Sequence, residues 1–208
     1  MGLRRATDSA GLRRIEPRDY PRDTEGLIEQ LQDPDPSVRR WAARDLAIHP
    51  DAVPALCEFL GRERDLSVRE VMFTTLGCLG GDDVVEGLVP LLRSEDANLR
   101  NGAIEVLAEL PEEVGPHIEV LLRDADADVR IFTLNLMNDL RHPQVGHWLA
   151  NVLTHDPHVN VVAAALEVLA EVGTPQAAHA LQLARQRFAD DPFIGFAADL
   201  AQQRIEGA

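Results

Sequence analysis

Carboxylates and amides recur in pairs four residues apart in the second half of the chain: Glu105 with Glu109, Asn135 with Asp139, Glu167 with Glu171. On an α-helix that spacing sets both members of a pair on one face. Helices carrying such pairs side by side would present a ladder of acceptors to a basic or amine-rich segment of another protein. Arg44 with Ile48 and Thr74 with Cys78 share the spacing nearer the N-terminus, where Arg40 adds a second cation. The surface therefore starts basic and turns acidic and amide-rich. Ile131, four residues before Asn135, would give it an exposed apolar anchor, as interface hot spots often have. The competing reading is a solvated face of an acidic protein, and the sequence leaves both open.

Other chemistry is scarce. The chain has no Lys, which removes P-loop and Schiff-base mechanisms, and it lacks G-x-G-x-x-G, G-x-S-x-G, H-E-x-x-H and paired C-x-x-C motifs. His142, His147, His155 and His158 crowd one region, but their spacings do not set two imidazoles on one helical face and neighbouring prolines mark turns, so no metal is expected. Cys57 reads as a small core filler and Cys78 as a partly exposed thiol.

The elements that must position these residues repeat. Val38, Val68, Leu99, Val129 and Val161 are separated by 30, 31, 30 and 32 residues. Four positions after each anchor stand Ala42, Met72, Ala103, Thr133 and Ala165; eight after, Leu46, Leu76, Leu107, Met137 and Leu169. That is the buried stripe of an amphipathic helix. Asp35, Asp65, Asp96 and Asp126 supply N-caps, Asp35, Asp156 and Asp191 precede prolines, and Gly80-Gly81, Pro111, Pro143 and Gly173 punctuate the ends. Shorter apolar stretches between these helices supply a first helix for each unit. The unit is helix, turn, helix.

D-x-x-V-R followed by x-x-A-x-x-x-L at a period near thirty resembles the HEAT repeat, and more narrowly the short bacterial class named after the phycobilisome lyases. The resemblance covers about residues 23–173 in five units, with residues 174–205 as a degenerate sixth pair. It implies an all-α solenoid, a right-handed superhelix of about six antiparallel helix pairs. It also implies a structural ladder between units, carried over to Asp35 and Arg39, Asp65 and Arg69, Asp96 and Arg100, and Asp126 and Arg130. The fifth unit has Val162 in place of the Arg, so the ladder should end there at an exposed or cap-covered apolar spot. Two catalytic relatives of the scaffold fit poorly. No His precedes a Glu, as the di-iron site of deoxyhypusine hydroxylase requires, and the charge opposes the basic concave face of the alkylpurine glycosylases.

The formal charge is −15, divided into about +3 for residues 1–22 and −18 for the remainder. Nucleic acid and anionic membrane are disfavoured as partners. Residues 1–22 read as an Arg-rich tail, either flexible or with one short helix near Leu12 to Ile15, and residues 23–208 as the solenoid. Two unpaired cysteines and no long apolar run suggest a cytoplasmic protein. The expected function is a non-catalytic scaffold without cofactor, holding roughly fifteen residues of extended chain in the concave groove. The alternative is a lyase-like maturation factor binding a tetrapyrrole or other cofactor together with a client protein.

Overall fold

The computed structural model describes residues 21–207. The Arg-rich tail expected over residues 1–22 therefore lies, up to residue 20, outside the described residues. Among those described there are twelve α-helices and no strand. The first helices of the pairs are α1 (Thr24–Gln30), α3 (Val53–Arg62), α5 (Asp82–Leu88), α7 (Pro111–Leu121), α9 (Val145–His155) and α11 (Ala178–Arg187). The second are α2 (Pro36–Asp45), α4 (Leu66–Leu79), α6 (Ala97–Ala108), α8 (Ala127–Leu136), α10 (Val159–Val172) and α12 (Pro192–Glu206).

Five of the second helices begin at an aspartate whose carboxylate accepts backbone N–H groups of the first turn: Asp35, Asp65, Asp96, Asp126 and Asp191. Each such cap contributes about 1 kcal/mol. In α10 the N-cap is His158, and Asp156 accepts from the His158 N–H instead. Gly80 and Gly173, at φ +60° and +67°, close α4 and α10 in a conformation costly for any other residue.

The second helices stack in chain order into one layer and the first helices form the other. Positions four and eight after each anchor are fully enclosed between them, from Ala42 and Leu46 to Ala165 and Leu169. Within the second layer the register is specific. Phe73, five after its anchor, lies on Gly102, three after the next, so tightly that a Cβ on Gly102 would come within 2.3 Å of the ring. Positions one, five and nine after an anchor thus face the following unit, as Arg100 over the Phe132 ring at 4.2 Å and Gly77 beside Val106 also show.

The 32-residue spacing between units four and five has a structural purpose. Its extra residues bring His142 between α7 and α9, where the imidazole stacks on buried Trp148 at 4.7 Å and faces Gly115. His142 is a packing wedge, and among the described residues no group of His, Cys, Asp or Glu could hold a metal ion.

The ladder differs from the one the resemblance implies. Each motif Arg turns back to the carbonyl six residues earlier: Arg39 to Asp33, Arg69 to Glu63, Arg100 to Ser94, Arg130 to Asp124. Across to the next unit, only Arg69 reaches a motif aspartate, Asp96, at 2.7 Å. Arg39 forks onto Glu63 at 2.7 and 2.8 Å, and Arg130 onto Asp156 at 2.8 and 3.2 Å. Both acceptors stand five residues before an anchor rather than three. Asp35, Asp65, Asp96 and Asp126 all serve as N-caps, and where a carboxylate stands two positions earlier, as Glu63 and Asp156 do, it receives the Arg. Unit three has Ser94 at that place, so Arg69 turns to Asp96 instead. Arg100 has no carboxylate partner among the described residues and stacks on Phe132; Asp124, at the matching acceptor position, is bonded by Arg93.

Val162 is fully buried, so the apolar spot expected in unit five is covered. The missing guanidinium is supplied by the next unit. Arg187 at the end of α11 donates to the carbonyls of Leu153 and Asp156 at 2.8 and 2.5 Å, the latter being the acceptor position that Arg39, Arg69, Arg100 and Arg130 use in their own units.

Candidate functional site: the outer wall of the second-helix layer

Counting from the anchors locates the wall. Positions one before and two, six and ten after an anchor point away from the first helices. Glu105, Glu109, Asn135, Asp139, Glu167, Glu171, Thr74 and Arg44 are all exposed there. Among the described residues none of these carboxylates, nor that of Glu70, enters an ion pair.

Between α4 and α6 the wall deepens into a groove of about 690 Å³. Small residues line it: Gly102 lets the Phe73 ring pack directly on its backbone, Gly77 stands beside Val106, and Phe73 and Val106 form an apolar floor. Thr74, Cys78, Glu105 and Glu109 meet on its sides as their spacing suggested. Glu70, Asn98 and Asn101 join them, and sequence reasoning missed these three because positions two after and one before the anchor were not read along the whole array. Among the described lining residues the one cation is Arg69, already bonded to Asp96 and to the Glu63 carbonyl. The groove is thus a cleft of carboxylates and amides over an apolar floor, and it can bind cations and N–H donors.

Several expected wall residues sit differently. Ile131 is half-buried and packs against the core, so it is no exposed anchor. Asn135 and Asp139 do not share a helical face, since α8 ends at Leu136 and Asp139 follows in the turn. Arg40 is half-buried with its guanidinium 3.4 Å from the Ser67 hydroxyl, and Arg44 lies 4.0 Å from the centre of the Trp41 ring. Both arginines therefore lie on the first helix of the second layer, one directed to the next unit and one over Trp41. Cys78 is exposed on the groove's side, whereas Cys57 is half-buried against Gly87 and burial pushes its thiol up to about 11.

The family profile described as HEAT repeats matches residues 24–110 and 116–194, most of the chain. The chain belongs to the HEAT-repeat family. This HEAT-repeat chain is 34% identical over 152 residues to the Bilin biosynthesis protein PecE of Mastigocladus laminosus, covering 71% of itself and 56% of that protein. It is 26% identical over 193 residues to the Uncharacterized phycocyanin operon protein Z of Pseudanabaena tenuis, covering 88% of itself and 95% of that protein. It therefore spans little more than half the length of PecE. Among solved structures, a chain from work on microtubule plus-end tracking by XMAP215, CLIP-170 and EB1 superposes with a TM-score of 0.57 at 14% identity, over 86% of this chain and 89% of the other. That likeness concerns the fold alone. The relatives match the phycobilisome-lyase-like class of HEAT repeats. Among the described residues no helix is long and apolar enough to cross a membrane.

Proposed function

We propose that this HEAT-repeat chain is a holding scaffold that seats a basic, extended segment of a client protein on the second-helix wall, centred on the groove between α4 and α6. The observation that carries the reading is the convergence of Glu70, Glu105 and Glu109 with Asn98 and Asn101 on one cleft. Opposite charge would guide and orient the segment more than it would add raw affinity, and Phe73 and Val106 offer it an apolar floor. The test is a titration with a fluorescent Arg-rich peptide. Reversing Glu105 and Glu109 together to Lys should weaken binding at least tenfold, about 1.4 kcal/mol; unchanged affinity would remove the groove from the reading.

The names of the relatives favour a second reading, in which the client is a protein being matured with a bilin. The groove suits the pigment itself poorly. Its carboxylates could accept pyrrole N–H groups, but a bilin's two propionates would meet Glu70, Glu105 and Glu109 with Arg69 already engaged. The chain would then hold the protein client, leaving the pigment to another site or subunit. Biliverdin added to the chain should keep its free absorption spectrum; a red shift with induced circular dichroism, abolished by substitutions in the groove, would place the pigment there instead.

A further inference from the structure

At its C-terminal end the same wall changes character. Counted from Ile194, the sixth anchor, the wall positions of α12 are Phe193, Phe196 and Leu200, which are 52%, 61% and 43% exposed. They follow one another at intervals of three and four and so form a single stripe along the helix. This stripe is not an unfilled stacking surface. The side of α12 that would meet a seventh unit, at positions one, five and nine, carries Gly195, Asp199 and Gln203, and Asp199 is paired with Arg185 at 2.8 Å. A polar end face is what a terminal repeat needs. Phe193 and Leu200 stand instead at places that hold Asn98 and Glu105 in α6, Asp128 and Asn135 in α8, and Asn160 and Glu167 in α10, and Phe196 at the place of Asn101, Ile131 and Ala163, while Ile194, Ala197, Ala198 and Ala201 keep the buried face.

We infer that Phe193, Phe196 and Leu200 form a second anchor point for the same polypeptide that the acidic groove holds, receiving an aromatic or aliphatic residue of it. This rests on the scaffold reading and adds a partner pattern to it. Charge complementarity and distance set the pattern. The basic residues belong opposite Glu70, Glu105 and Glu109. Three interhelical steps of 8 to 10 Å separate α6 from α12, which is about 25 to 30 Å or roughly eight to nine residues of extended chain. The partner segment is therefore bipartite: basic at one end, apolar at the other, with a spacer of that length.

Four synthetic peptides test this on the full chain by fluorescence anisotropy: one basic, one apolar, and two carrying both ends on Gly/Ser spacers of nine or two residues. The nine-residue spacer should bind at least tenfold tighter than the basic peptide, because the second contact becomes intramolecular, and the two-residue spacer should give no gain. Phe196→Ser with Leu200→Ser should reduce the long peptide to the affinity of the basic one and leave the basic one unchanged. Equal binding of both spacers, or no effect of that variant, overturns the second anchor while sparing the groove. A basic peptide that does not bind at all defeats the scaffold reading, and the second anchor with it. Sedimentation should show a monomer. A dimer dissociated by the Ser variant would assign the stripe to a second copy. Binding of the long peptide only after removal of residues 1–20 would assign it to the chain's own N-terminal segment. Either result overturns the inference.

Discussion

The ladder edge and the outer wall both carry charged residues at the same period, yet their surroundings are opposite. On the ladder edge, Arg39, Arg69 and Arg130 lie mostly out of water and each is bonded both to a carbonyl of its own unit and to an acid of the next. On the wall, Glu70, Glu105, Glu109, Glu167 and Glu171 are exposed and carry no ion pair among the described residues. The edge charges are desolvated and paired, whereas the wall charges are solvated and without an ion pair among the described residues. Substitutions on the two surfaces should therefore separate stability from binding.

The largest effect is expected at Arg130. Arg130→Ala leaves the buried Asp156 carboxylate without its forked partner, and removing one member of such a pair costs about 3–5 kcal/mol; denaturant unfolding would read it. If the loss were only a few tenths, the edge would be no more structural than the wall. Arg187→Ala should follow at about 1.5–3 kcal/mol, the range for hydrogen bonds made by a charged group, because it uncovers the Leu153 and Asp156 carbonyls. An effect of Arg187→Ala near zero would show that unit five needs no substitute for its missing Arg. Gly102→Ala should cost about 1–3 kcal/mol through overpacking against Phe73, while narrowing the groove.

Acid should weaken the ladder edge. Hydrogen bonds from Arg39 hold the Glu63 carboxyl below the usual carboxylate range, against the opposing effect of burial, and Arg69 and Arg93 do the same for Asp96 and Asp124. Because these groups bind protons more readily in the unfolded chain, their stabilisation is complete above the unfolded values of about 4 and is lost as pH falls through the lower folded values. Arg39→Ala should flatten that acid-side loss. The smallest stability change belongs to the wall: Glu105→Lys with Glu109→Lys should move stability by no more than about 0.5 kcal/mol.

Much of the fold is legible in the sequence, because each anchor carries its own evidence. Val38, Ala42 and Leu46 mark one stripe, and Asp35 before Pro36 marks where it starts. The ladder partners are less legible. Every motif aspartate caps its helix, and whether it also receives the preceding unit's Arg, as Asp96 does with its second oxygen, depends on whether Glu63 or Ser94 stands two residues earlier. Arg187 is invisible to a motif search, since it fills its neighbour's vacancy from a helix with no motif. The wall was half legible: Glu105 and Glu109 follow from helical spacing, but Asp139 depended on where α8 ends and Ile131 on its packing against the core, which spacing alone does not give. Phe193, Phe196 and Leu200 were within reach, because Asp191-Pro192 already marked a cap, and counting onward from Ile194 would have assigned them to the wall.

The decisive measurement is the affinity of an Arg-rich peptide as a function of ionic strength, for the native chain and for the Glu105→Lys, Glu109→Lys variant, with unfolding midpoints recorded in parallel. The native chain should bind tightly at low salt and lose affinity steadily as salt rises, while the variant binds at least tenfold more weakly, shows little salt dependence and unfolds at nearly the same midpoint. Equal affinities and equal salt slopes, or a variant that binds poorly only because it is unfolded, would contradict the assignment of this wall to recognition.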